Sequence, residues 1–336
     1  MAPTAKPDKE INLESLKDVP HLGAVSIQKL SSIGVTTMRS LYSQMSANSL
    51  HTLTGMTPEF ADEAISFVGD QLEKAKKISQ RKQTGWDLYC EQKNESFIPT
   101  GVKAIDDILG DGIRAGYISE FYGENHSGKT QLAIQLALNC LIADKNNVVA
   151  YIDTENKLKI NRLVEILLAR GIITEEAQAS EYLDRLVIWS PKNSDEQLMY
   201  IKNLAGLLDT DIPIKLVIID SIISLFQSEY MERGVLKSKF NQVKPMMLNL
   251  MKLANIYKFV GVIINTVYKS PTPDFGADDI IPAGGNSVGH PSAYRFKLRE
   301  VGSGKKHRFK IVKSPEHPQS EADFTLTDKG LEDVKA

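Results

Sequence analysis

Cysteine is scarce in this chain: Cys90 and Cys140 are the two among 336 residues. Two thiols cannot build a disulfide framework, and neither lies in a CxxC or Cys/His spacing that suggests a structural metal, so a reducing cytoplasm is the expected setting. Long apolar runs are missing as well. The longer ones, such as 216–219 and 260–264, fall far short of the ~20 residues that cross a bilayer. The N-terminus has no signal-peptide stretch, so neither a membrane nor a secretion route is expected. Nor does one sign of charge dominate: 40 Lys and Arg face 42 Asp and Glu, a net charge of −2. Contact with nucleic acid would therefore need local basic patches. Internal repeats and low-complexity blocks are absent, and 42% hydrophobic with 24% charged residues excludes wholesale disorder and fibrous architecture.

What is present is organised in two styles. The length suggests two domains, or one large domain with an appendage. Residues 1–10 form a polar leader holding Pro3 and Pro7, expected to be disordered. Over 11–78 apolar residues recur at helical spacing, as in Ile27, Leu30 and Ile33 or Ala61, Ala64, Ile65 and Val68. With Gly23, Gly34 and Gly55 as punctuation, this predicts a small all-α domain. The charged stretch from Glu73 and the breaks at Thr84-Gly85 and Pro99-Thr100-Gly101 mark 79–100 as a linker. From 101 to 336 short apolar runs alternate with helical patterns. The runs at 117–122, 148–152, 186–189, 216–219 and 260–264 do not alternate in polarity, which suits strands buried on both faces of a parallel sheet. The fold class is α/β, with right-handed crossovers bringing the strands' carboxyl ends to one edge, where ligands bind.

The chemical motifs fall at such ends. Gly123-Glu124-Asn125-His126-Ser127-Gly128-Lys129-Thr130 matches G-x-x-x-x-G-K-[ST] in full, between the run at 117–122 and an amphipathic helix carrying Leu132, Ala133, Leu136, Ala137 and Cys140. The glycines let the backbone wrap phosphates, amides at the helix start donate to them, Lys129 adds a point charge, and Thr130 ligates magnesium. His126 reads as a tolerated spacer. ATP and Mg2+ are the expected cofactors. Asp220 closes the run at 216–219, where a carboxylate holds the magnesium water shell opposite the loop. Glu155, in Asp153-Thr154-Glu155, suits either of two roles: activating the water that attacks the γ-phosphate, or capping the helix that follows. Asn265-Thr266 ends the last run, as a sensor of the terminal phosphate or as an ordinary polar turn. Arg295, Lys297, Arg299, Lys305, Lys306, Arg308, Lys310 and Lys313 are opposed only by Glu300 before Ser314. That run suits DNA steering or a solvated, charged hairpin.

Together these segments resemble the RadA recombinase family, the archaeal and eukaryotic relatives of RecA, over nearly the whole chain. The carrying segments are the phosphate loop followed by Gln131, Tyr151-Ile-Asp-Thr-Glu155, Asp220-Ser221 with Ser228-Glu-Tyr-Met-Glu-Arg-Gly234, and Gly284-Gly285-Asn286 with His290. The resemblance implies a RecA-like P-loop ATPase core. It also implies a preceding helix-hairpin-helix domain, with Leu22-Gly23-Ala-Val25 and Thr54-Gly55-Met-Thr57 at the hairpin positions, offering amides to DNA phosphates. The implied activity is a DNA-dependent ATPase that polymerises on single strands, holds ATP between neighbouring protomers and pairs a homologous duplex. On that resemblance Lys129 and Glu155 are catalytic, Glu155 activating the water. Asp220 is the magnesium-side acid, Arg162 stacks on adenine, and Pro318 presses on the neighbour's adenine. Two loops reach DNA: about 228–237, with Tyr230 and Arg233, and about 269–285, with Phe275 near its middle and Gly284, Gly285 and Asn286 at its close. A cation and an aromatic in glycine-bounded loops suit contact without sequence readout.

The chain also departs from the family pattern. Val25 stands where the first hairpin usually has Gly, and Trp86 and Tyr89 stand where a protomer-docking segment has an aromatic and then a small residue. Asn265-Thr266 replaces an Asn-Gln whose amide links γ-phosphate to DNA. The region before Val148 is shortened to Asp144-Lys-Asn-Asn147, and no Phe follows Asp-Thr-Glu in Asn156-Lys157-Leu158. Lys313 replaces an Asp that the family uses with a monovalent cation near the phosphates, so its ammonium is expected to stand in for that cation. Single- and double-stranded DNA, further copies in a filament or ring, and another recombinase are the implied partners, with a nucleoid-associated or, in a eukaryote, nuclear setting. Three readings stay open: a strand-exchanging recombinase, a paralogue that loads another recombinase without exchanging strands, and a P-loop ATPase unrelated to DNA.

Overall fold

The computed structural model describes residues 12–13, 15–74, 84–208, 212–233, 241–269, 280–302 and 306–334, with backbone only at 73 and 230–233. The leader at 1–10 lies outside the described residues. The chain divides into two compact units, residues 1–90 with 202–211, and 91–201 with 212–336.

The first unit is helical. A 3-10 turn at Leu16–Asp18 precedes α1 (Ala24–Ser31), α2 (Met38–Gln44), α3 (Ala47–Thr54) and α4 (Pro58–Lys74). Local chemistry sets the boundaries. Thr37 and Ser40 form a capping box that starts α2, Ser46 caps α3, and Gly55 at φ +79° ends α3 in the left-handed region, where glycine carries no steric penalty. Leu30, Val35, Met38, Leu41, Leu50, Ala61, Ala64, Val68 and Leu72 form its core.

After it comes α5 (Gly85–Lys93), which buries none of its residues. The sequence reads this stretch as linker, but Thr84 and Asp87 exchange hydrogen bonds, with the Thr84 hydroxyl donating to Asp87 at 2.6 Å and the Asp87 amide donating back at 3.1 Å, and that start signal favours a helix. Residues 97–98, also read as linker, form β1 (Phe97–Ile98). It pairs antiparallel with β2 (Ile113–Arg114) across α6 (Lys103–Leu109).

The second unit is built on one nine-stranded sheet. In chain order its elements are β3 (Ile118–Tyr122), α7 (Lys129–Ala143), β4 (Val148–Asp153), α8 (Ile160–Ala169), α9 (Ser180–Leu183), β5 (Leu186–Trp189), the first half of α10 (Ser194–Leu208, whose residues from 202 on fall in the first unit), β6 (Ile214–Asp220), α11 (Ser224–Arg233), α12 (Val243–Tyr257) and β7 (Val260–Asn265). Then follow β8 (Val267–Lys269), β9 (Ile280–Pro282), α13 (Gly285–Gly289), β10 (Tyr294–Val301), β11 (Lys306–Lys313), β12 (Glu321–Thr327) and β13 (Gly330–Asp333). The strand order is β13-β12-β11-β10-β3-β7-β6-β4-β5. From β10 through β5 neighbours run parallel, and β11 to β13 extend the sheet antiparallel. All five apolar runs are strands of this sheet, and β3 and β7 are buried along their whole length. The result is a RecA-like α/β architecture.

Two expected DNA loops differ in form. The first is helical through Arg233, because Ser224–Arg233 continues as α11; 234–237 lie outside the described residues. The second stands on a ribbon in which β8 and β9 pair antiparallel with Tyr268 opposite Ile281, a pairing that suits strand formers.

The cationic run of 295–313 forms the β10–β11 hairpin, and its opposing acids come from β12. Arg308 is bound by Asp323 and Glu321, Lys306 by Asp323, and Lys310 by Glu321, while Arg295 pairs with Glu120. This part of the run is a charge-compensated hairpin rather than an unopposed basic stripe.

Candidate nucleotide site

The turn from β3 into α7 has almost no spare room. A Cβ added at Gly123 would lie 2.0 Å from the Leu298 carbonyl oxygen, and one at Gly128, whose φ is +94°, would lie 3.2 Å from the Phe324 ring. The loop is therefore wedged between its own helix and the strands β10 and β12, and glycine is the residue these approaches admit. Behind Gly128 sits His307, 2% exposed, stacked on Phe324 at 5.3 Å, with a buried Nδ1 that has no partner. Burial pushes this imidazole below its usual range, and Glu300 opposes that shift.

Lys129 folds back on the loop. Its ammonium donates to the carbonyls of Gly123 at 2.8 Å and Glu124 at 2.6 Å and to the Ser127 hydroxyl at 3.1 Å. Burial lowers the ammonium to about 8, against the opposing pull of Asp220 and Glu155. At the next residue, the Thr130 hydroxyl donates to the Asp220 carboxylate at 2.7 Å, and the Tyr151 hydroxyl reaches the same oxygen at 3.1 Å. Burial raises the Asp220 carboxyl, and these two donors work against that rise.

The ends of β4 and β6 are tied together. The Thr154 amide donates to the Asp220 carbonyl at 2.8 Å and the Ser221 amide donates to the Thr154 hydroxyl at 2.7 Å. Beyond them the Asp153 carboxylate accepts from the amides of Lys157 at 3.1 Å and Leu158 at 2.9 Å. Glu155 forms an ion pair with Lys157.

These groups surround one cavity of about 560 Å³, lined by Asn125, His126, Ser127, Gly128, Lys129, Thr130, Gln131, Glu155, Lys157, Asp220, Ser221, Ile264, Thr266, Glu300, His307 and Leu326. The Thr266 hydroxyl is buried without a partner. Arg162, on α8, stands at the rim: its Nε donates to Gln131 at 3.3 Å, and the guanidinium also donates to the carbonyls of Thr327 and Asp328. A loop of backbone amides, a lysine, and a threonine and aspartate at adjacent strand ends can receive a polyphosphate and a hard cation.

The remaining candidates lie elsewhere. Gly284, at φ +76°, turns into α13, which begins with Gly285 and the exposed Asn286. The Lys313 ammonium donates to the carbonyls of Gly289 at 3.2 Å and Ser292 at 2.7 Å. Among the described residues, neither Lys313 nor the exposed Pro318 lines the cavity. The side chains of Tyr230 and Arg233, and Phe275 altogether, lie outside the described residues. Sequence reasoning passes over Lys157 and His307. A cation two positions past Glu155 was a visible signal for Lys157. Nothing local marks His307, which reaches the loop through the sheet.

Comparison with known proteins identifies the family. Residues 92–334 match the family model described as Rad51. The chain is 33% identical, over 96% of its length and 98% of the relative, to the DNA repair and recombination protein RadA of Methanoculleus marisnigri. The protein of that name from Cenarchaeum symbiosum is 32% identical, over 97% of this chain and 81% of the relative. The one from Methanocorpusculum labreanum is 30% identical, over 94% and 98%.

Proposed function

The chain belongs to the Rad51 family, and from that premise we propose that it is a DNA-dependent ATPase that assembles with ATP and Mg2+ on single-stranded DNA and exchanges strands with a homologous duplex. The observation that carries this reading is the convergence of Lys129, Thr130, Glu155 and Asp220 on one cavity where β3, β4 and β6 end. Amides at the start of α7 bind the phosphates, and Lys129 leaves its loop acceptors to neutralise them. Thr130 and Asp220 fit Mg2+, directly or through water. Among the described residues no group of three or more His, Cys, Asp or Glu could hold a metal alone, so the other ligands come from nucleotide and water. Bound there, the ion neutralises charge on the phosphate oxygens. Glu155 accepts the proton of a water whose oxygen bonds to the γ-phosphorus as the bond to the departing ADP oxygen breaks.

Arg162 holds adenine at the rim, and Pro318 and Lys313 act on the nucleotide of a neighbouring protomer. Thr266 senses the terminal phosphate and leads into β8, the base of the second loop. Tyr230, Arg233, Phe275, Gly284, Gly285 and Asn286 meet DNA.

Electron microscopy and a pairing assay with single-stranded DNA, ATP and a homologous duplex test this reading. Long regular filaments with pairing support it; an ATPase rate indifferent to DNA overturns it. Short complexes without pairing would instead identify a loader of another recombinase. That reading draws on the stack of Trp86 and Tyr89, which leaves both side chains exposed on α5, with Tyr89 where the family places a small residue. Lys129→Ala is expected to abolish nucleotide binding and ATP-dependent assembly, read by calorimetry and light scattering. If Lys313 substitutes for a monovalent cation, ATPase rates in choline and potassium buffers will agree; strong potassium stimulation removes that role.

A further inference from the structure

Lys157 takes part in none of the steps above, yet the fold presents it to the cavity. Asn156 sits in the left-handed region at φ +54°, and the two carboxylate oxygens of Asp153 hold the amides of residues 157 and 158. The backbone at this position is thus fixed by a buried acid. The side chain, held by Glu155, has solvent around it in which to move: it is 62% exposed, whereas Glu155 is 18% exposed. The cavity wall therefore carries two ammonium groups, those of Lys129 and Lys157, among the carboxylates of Glu155 and Asp220.

We infer that Lys157 is a second phosphate-binding cation, parked on Glu155 until a terminal phosphate takes that carboxylate's place as its partner. The inference rests on the nucleotide reading above and assigns a new residue to that site. Four considerations support it. The lysine end of this ion pair is in solvent even though Glu155 is largely covered, so water shares the ammonium's charge and lowers the cost of the exchange. A terminal phosphate offers more charge and more acceptor oxygens than one carboxylate, and charge-assisted bonds to it are strong. Lysine, a point charge on a flexible stem, suits a role in which the partner changes. Finally, an ammonium engaged with one Glu155 oxygen takes up part of that carboxylate's accepting capacity and lowers its basicity toward water. One swing thus frees Glu155 and brings positive charge to the phosphoryl group being transferred, where preorganised charge accelerates hydrolysis.

The test is calorimetric titration of the full chain with ADP and with ATPγS, each with Mg2+. In Lys157→Met, ATPγS affinity is expected to fall about tenfold, the loss of one charge-assisted contact, while ADP affinity changes less than about twofold. Lys157→Arg restores most of the ATPγS affinity, and Glu155→Gln binds ATPγS at least as tightly as wild type because the competing carboxylate is gone. Equal loss for both nucleotides in Lys157→Met, or an unchanged ATPγS affinity, overturns the inference while leaving the site assignment standing. A wild type that binds neither nucleotide overturns both.

Discussion

A methyl group is enough to probe the loop at residue 123. Gly123→Ala sets its new carbon against the Leu298 carbonyl at 2.0 Å, and a strand backbone inside a sheet has nowhere to go. The substitution is expected to cost at least about 2 kcal/mol of stability and to remove nucleotide binding. Thermal unfolding beside a nucleotide titration measures both, and a variant with native melting and affinity would show the loop is not wedged as described. At this scale the sequence was informative where chemistry is local. The phosphate loop is a contiguous motif, and Asp220 announces itself by ending an apolar run. What stayed hidden depends on which strands become neighbours: His307 backs the loop only because β11 lies one strand from β10. Arg162 likewise meets residues 327 and 328 only because α8 packs near the end of β12.

Among the elements, the five parallel strands read from the sequence were legible because their runs are apolar and show no alternation; β3 and β7 are wholly buried, whereas β5, at the edge of the sheet, is not buried on both faces and leaves Ile188 39% exposed. The antiparallel extension was not legible. Its strands alternate, and its cations read as unopposed until β12 supplies Glu321 and Asp323 on the neighbouring strand. That pairing has a pH signature. Hydrogen bonding from Arg308 holds the Asp323 carboxyl at about 2 against an ordinary 3.8, so its contribution is complete above the unfolded value and lost as pH falls toward the folded one. Because the pair is partly solvated, the contribution is at most about 1 kcal/mol. Asp323→Asn is therefore expected to be less stable than wild type near neutrality, and the gap in urea unfolding should narrow between about pH 5 and about pH 3; a gap that holds constant argues that Arg308 does not stabilise the ionised form. The helix α5 escaped prediction for another reason: Thr84 and Asp87 define its start, but it has no buried face to create a periodic signal.

For the molecule as a whole, self-association is the property most exposed to experiment. Trp86 is 71% exposed and Tyr89 52% exposed, and their rings stack on one another, a pair of aromatics available to a neighbouring copy. Trp86→Ala is expected to reduce the assembled mass seen by light scattering with ATP and single-stranded DNA while leaving the melting temperature unchanged. Undiminished assembly would assign these aromatics another purpose.

One buried amide reaches further than its size suggests. Gln135, fully enclosed on α7, donates to the Thr100 and Leu331 carbonyls at 2.7 and 3.0 Å and accepts from the Leu331 amide and Arg170, each at 2.7 Å. The stem that carries Lys129 is thereby anchored from behind by the last strand of the sheet. Shortening the protein to end before Gly330 would strand that amide without two of its four partners, and the stem would lose its rear footing. Trimming the tail, two hundred residues away along the chain, then becomes a handle on how firmly the front end grips its ligand.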